Sequence, residues 1–133
     1  MFKSIHQLTM FKYLNPNPVN NLVGDCTIRA ISILTDQDWM TTKLEIFVES
    51  CLLYDMSSSN RVWESYLYKQ GYRRKIIPNS CPNCYTVKDF CKDHTRGRFL
   101  LALDKHVVAV IDGNYYDTWD SGNEIPLYYW YKI

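Results

Sequence analysis

The chain has 133 residues, one domain's length, and its 47% apolar and 22% charged residues exclude a disordered chain. Lys and Arg number 15 against 14 Asp and Glu, a net charge of +1 that gives no basic excess for nucleic acid. The longest apolar runs, Phe99–Leu103 and Val107–Ile111, are too short to span a bilayer, so no membrane partner is expected.

Asn15-Pro16-Asn17-Pro18-Val19-Asn20-Asn21 is rich in turn formers and reads as an extended surface run. Gly24-Asp25-Cys26 then opens a helix to about Leu34, with Asp25 as its N-cap. Ile28, Ala30, Ile31, Ile33 and Leu34 leave that helix little polar face, so it should be central and buried. Asp36 or Asp38 starts a second helix, with Leu44, Phe47, Cys51 and Tyr54 along one side. Ser57–Ser59 leads into a third, whose inward stripe is Trp63, Tyr66 and Leu67, ended by Gly71.

A strand at Tyr72–Ile77 is closed by Pro78, and Arg73-Arg74-Lys75 within it should be solvated. Thr86 and Asp89 form a capping-box pattern for a short helix to about His94. The pattern then becomes strand-like at Arg98–Leu103, His106–Ile111, Tyr115–Trp119 and Leu127–Tyr131. Asp112-Gly113 between the second and third of these is a hairpin signal. Helices followed by an antiparallel meander predict an α+β fold in a single domain, residues 1–133.

Five Cys is an odd number, and residues 1–14, with Lys3, His6 and Lys12, show no signal peptide. The setting is therefore read as cytoplasmic, where a reactive or metal-binding thiol is expected before a disulfide. Cys26 stands at a helix start, where free N–H groups and the helix dipole favour a thiolate. His106 opens a strand and is a natural base for that thiol. A carboxylate should orient the imidazole, and the hairpin offers two. With a two-residue turn, His106 lies opposite Trp119 and diagonal to Asp117. With a three-residue loop it lies opposite Asp120. Arg29, one turn after Cys26, is read as the ion-pair partner of a structural acid, Asp25 or Asp120.

Gly24-Asp25-Cys26 opening a buried helix, with HVVAVIDGNYYDTWDSG downstream, resembles the papain-like cysteine peptidase superfamily. Within it, the chain is most similar to the small peptidases that process double-glycine leaders and to related small bacterial and phage proteins. The resemblance covers roughly residues 17–122. It implies a papain-like fold and a cysteine-dependent hydrolase acting on a peptide, isopeptide or related amide bond, with a peptide or protein substrate and no cofactor. It makes Cys26 the nucleophile and His106 the base. Asp120 takes the orienting place, with Asp117 the alternate. The family's oxyanion amide a few residues before the Cys falls on Asn20, or on Asn17. The chain departs from the Cys-Gly-Ser-Cys-Trp signature, since Thr27 follows Cys26, and it is shorter than most members. Deamidation or transglutamination would use the same residues.

Cys81-Pro82-Asn83-Cys84, with Cys91 and His94, offers a competing zinc set, although the spacing matches no common site. The alternative function is a non-catalytic interaction module on the same fold, with 81–94 as a structural zinc knuckle. Without metal, Cys91 is a core residue and His94 a helix-terminal one. The Tyr128-Tyr129-Trp130-Tyr131 end reads as a last strand burying alternate rings.

Overall fold

The computed structural model describes residues 10–132, and the reading of Lys3 and His6 lies outside the described residues. The order is β1 (Phe11–Tyr13), α1 (Cys26–Thr35), α2 (Trp39–Leu53), α3 (Asn60–Lys69), β2 (Tyr72–Ile76), α4 (Val87–Asp93), β3 (Arg98–Leu103), β4 (His106–Ile111), β5 (Asn114–Asp117) and β6 (Tyr128–Lys132). Among the described residues, four helices and one six-stranded sheet make an α+β fold. Among the described residues no helix is long and apolar enough to cross a membrane.

The sheet order is β1-β5-β4-β3-β6-β2, so the expected simple meander is corrected at both ends. β3, β4 and β5 do follow one another antiparallel. β6, however, crosses over to pair with β3 and β2, because Thr118–Leu127 is long enough to carry the chain across. The outer edge of β5 is filled instead by β1, in parallel, with Tyr13 beside Asp117. That strand precedes the Pro- and Asn-rich run and was not signalled by its three residues.

Strand alternation gives the sheet two apolar faces. Leu100, Ala102, Val107, Ala109 and Trp130 pack with α1, α2 and α3, through Ile31, Leu34, Ile46, Trp63 and Leu67. Leu101, Leu103, Val108, Val110 and Tyr115 pack with α4, through Val87, Phe90 and Cys91. α1 is thereby fixed against β4, the contact that matters for the site.

Local signals set the helix ends. Ser59 Oγ accepts from Arg61 N at 3.2 Å to cap α3, and Thr86 and Asp89 form the reciprocal capping box of α4. α2 is turned the other way from its periodicity. Its buried side is Thr42, Ile46, Glu49 and Ser50, while Leu44, Phe47, Cys51 and Tyr54 face outward. The polar inner side is tolerated because it is bonded. Glu49 accepts from Ser65 Oγ at 2.5 Å and Lys69 Nζ at 3.0 Å, and Thr42 Oγ1 donates to the Asp38 carbonyl at 3.0 Å.

Candidate active site

The hairpin between β4 and β5 sets the site's geometry. Asp112 (φ 50°) and Gly113 (φ 80°) both take the left-handed conformation of a two-residue type I′ turn, which matches strand twist. Ile111 therefore pairs with Asn114 and Ala109 with Tyr116. Continued down the strands, this register sets Val108 opposite Asp117 and leaves Asp117 diagonal to His106 on the same face. His106 Nε2 meets Asp117 Oδ2 at 2.6 Å. Asp120, first choice for this role on the family resemblance, is not brought to His106. Its carboxylate accepts from the Tyr115 hydroxyl and from Gly122 N, the latter at 3.0 Å.

Asp117 is 3% exposed and well held. Its oxygens also accept from Thr118 N at 2.8 Å and Ser121 Oγ at 3.3 Å, and Arg29 Nη2 lies 3.6 Å away. Arg29 forms a closer ion pair with Asp25. It therefore bridges Asp25 and Asp117, where Asp120 had been the alternative partner. The Trp119 ring lies against the His106 imidazole, centroids 4.9 Å apart.

Asp25 occupies the N-cap position of α1 but does not cap it with its side chain. Its carboxylate is taken by Arg29 and by Trp39 Nε1, at 2.8 Å. The first N–H groups of α1, beginning at Cys26, are thus left without an intrahelical or side-chain acceptor. They concentrate the positive end of the helix dipole at the thiol.

Cys26 and His106 lie close enough to shift each other's ionisation by hydrogen bonding and charge, while Nε2 of the imidazole is held by Asp117. Burial by itself would raise the Cys26 pKa. Hydrogen bonds from His106, the Val107 backbone N–H and Thr27, with the charge on His106, outweigh burial and bring it below the ordinary thiol value. Burial would likewise lower the His106 pKa. Hydrogen bonds to Asp117 and Cys26, and their negative charges, raise it instead to about 9. Both shifts favour a thiolate–imidazolium pair.

Cys26 borders two clefts. One, of about 330 Å³, runs from Gly24–Ile28 to Lys43 and Ile46 of α2 and to Ser57 and Ser58. The other, of about 180 Å³, is bounded by Thr27, Asn60, Lys105, His106, Val107 and Tyr128. The proposed oxyanion amides line neither. Asn20 is exposed, and the buried Asn17 turns its Oδ1 to Val19 N at 3.1 Å.

Asn60, overlooked in the sequence, stands in the smaller cleft. The buried indole of Trp63 donates Nε1 to Asn60 Oδ1 at 2.9 Å. An indole N–H can only donate, so the amide oxygen must face Trp63 and its NH₂ group is the free end. The available signal was an Asn three residues before a core Trp at a helix start.

The zinc set is not assembled, and this corrects the expectation of free thiols. Cys81 and Cys84 are joined as a disulfide, while Cys91 is buried on α4 with its thiol pushed up to about 12 by burial. His94 stacks on Phe90 and shares Nδ1 with the Phe90 carbonyl at 2.9 Å. Among the described residues no group of three or more His, Cys, Asp or Glu could hold a metal ion.

Comparison with protein-family models, curated proteins and solved structures finds no match for this chain. Its function therefore rests on the chemistry of the site.

Proposed function

We propose that this protein is a cysteine-dependent hydrolase of papain-like design, cleaving a peptide or related amide bond through a thioester acyl-enzyme. The observation that carries this reading is the row formed by Cys26, His106 and Asp117. A thiol of lowered pKa, at an uncapped helix start, meets an imidazole whose far nitrogen is fixed by a buried carboxylate.

Each residue's part follows from its position. The Cys26 thiolate attacks the carbonyl carbon, and the π electrons move to oxygen. The Cys26 backbone N–H and the Asn60 amide hold that oxyanion. Loss of one such donor costs on the order of 3 kcal/mol in similar chemistry. Protonated His106 then gives its proton to the departing nitrogen as the C–N bond breaks. Neutral His106 next draws a proton from water, which attacks the thioester and releases the acid and Cys26. Asp117 keeps the imidazole oriented and stabilises its charged form throughout. The clefts of about 330 and 180 Å³ on either side of the thiol suit a short extended segment of substrate.

The test needs no known substrate. Alkylation of each cysteine by iodoacetamide is followed against pH by peptide mass spectrometry, in the native chain and in His106→Ala. Cys26 should ionise below the range of a free thiol, and that advantage should disappear in His106→Ala. A Cys26 that titrates as an ordinary thiol in both proteins overturns the reading.

A further inference from the structure

The outward side of α2 carries an apolar stripe, flanked by the exposed Lys43 and Glu45. Met40, Leu44, Phe47, Val48 and Leu52 are each 53–61% exposed, Tyr54 is 98% exposed, and Cys51 is exposed among them. Met40, Leu44, Phe47 and Cys51 recur along the helix at spacings of four, three and four residues, the pattern of a seam made to receive another helix, and Tyr54 follows at the left-handed C-cap just past Leu53. The helix does not need this side for its own fold, because its inner side is already bonded to α3 through Glu49. An apolar stripe of this kind on a chain of ordinary composition marks an interface.

We infer that α2 is a dimerisation helix: a second copy of this chain lays its own α2 antiparallel across the seam, about a two-fold axis at Phe47. Three observations select a second copy. The exposed side chains offer on the order of 700 Å², close to the roughly 800 Å² each partner gives a stable interface of standard size. The seam is nearly symmetric about Phe47, with Met40 and Tyr54 seven residues to either side and Leu44 and Cys51 between, as a self-complementary patch requires. It carries no charge on those five positions. Antiparallel packing also sets the α2 N-terminus near the partner's C-terminal end, so the two helix dipoles are complementary. Lys43 and Ile46 line the larger cleft at Cys26, so the second copy would stand beside the cleft's rim. The inference does not depend on the reaction proposed above.

Sedimentation velocity of the full chain, under reducing conditions from about 1 to about 100 μM, tests it. The unsubstituted chain should sediment at twice its own mass at the upper end. Phe47→Glu and Phe47→Lys should each sediment as monomers with unchanged circular dichroism, since Phe47 is half exposed. Their equimolar mixture should recover the dimer, because the two-fold places the new charges against each other. A bismaleimide reaching about 13 Å should join unsubstituted chains through Cys51, a readout that needs no variant. A chain that stays monomeric throughout overturns the inference. So does a dimer that survives both single variants, or crosslinking that does not pass through Cys51.

Discussion

Asp117 reaches His106 across one hairpin, Oδ2 to Nε2 at 2.6 Å, as a diagonal neighbour on adjacent strands. Asp120, three residues further on, points its carboxylate to Tyr115 and Gly122 instead. The two acids should therefore separate cleanly by mutation. Asp117→Asn should lower turnover by roughly 100-fold or more and lose most of the depression of the Cys26 pKa. Asp120→Asn should leave Cys26 alkylation within about twofold and cost on the order of 1 kcal/mol of stability, from a weakened hydrogen bond to Tyr115. Equal losses of reactivity in both variants would remove Asp117 from its role.

The two pKa shifts define a pH window. Cys26 is lowered, so thiolate appears below the ordinary thiol range. His106 is raised to about 9, so imidazolium persists well above neutrality. Turnover should be bell-shaped, rising as Cys26 ionises and falling as His106 deprotonates near pH 9. Stability follows the same sign for His106. Its folded pKa lies above the unfolded value of about 6.5, so its contribution is complete below that pH and is lost as pH rises through about 9. The lowered Cys26 pKa contributes with the opposite sign over much of that window. The fall should therefore be read in thermal melts of Cys26→Ser from pH 6 to 10, where the Asp117 partnership still holds the His106 pKa up. On that background Asp117→Asn should shrink it and shift it to lower pH.

The local signals that the sequence carries plainly are those with a stereochemical cause. Thr86 and Asp89 cap α4, and Asp112-Gly113 closes a two-residue turn because both residues accept positive φ. The Cys26 and His106 pairing was also legible, since a helix start and a strand start bring each to an end of its element. The choice between Asp117 and Asp120 was not, because one residue of register separates them and only the turn conformation decides. Nor was the orientation of α2. Periodicity shows that Leu44, Phe47 and Cys51 share a face but says nothing of where that face points, which Ser65 and Lys69 of α3 determine by binding Glu49. Asn60 was missed because what turns its amide toward the cleft is the bond from Trp63, a contact within one helical turn that composition does not advertise.

The five cysteines should sort into distinct chemical classes. Unreduced, denatured protein should show three free thiols, with Cys81 and Cys84 absent from the labelled peptides. In the native chain at neutral pH, Cys26 should alkylate fastest, ahead of the exposed Cys51. Cys91, buried and raised to about 12, should stay unlabelled until the fold opens. Reduction of the Cys81–Cys84 bridge should leave Cys26 reactivity unchanged, because the bridge lines a separate groove with Ile77, Tyr85 and Leu127. Closing so short a loop is worth about 2 kcal/mol on loop-entropy grounds. Fast native labelling of Cys91 would contradict its place beneath the sheet.

Asn60 can be tested apart from the fold because its two ends do different work. Asn60→Asp keeps an oxygen to accept from Trp63 Nε1 but removes the NH₂ donor, whereas Asn60→Ala removes both. The probe is N-acetylglycinal, an aldehyde small enough for the cleft of about 180 Å³. The Cys26 sulfur adds to its carbonyl carbon, the C=O π electrons go to oxygen, and His106 supplies the proton that completes the hemithioacetal. Its oxygen then occupies the oxyanion position, and binding is read as protection of Cys26 from iodoacetamide. Alkylation itself needs no oxyanion donor, so at a pH where Cys26 is fully ionised all three proteins should alkylate within about twofold of one another. Protection should weaken on the order of 100-fold in both variants. If Asn60→Asp protects as well as the native chain while Asn60→Ala does not, Asn60 only anchors Trp63 and holds no oxyanion.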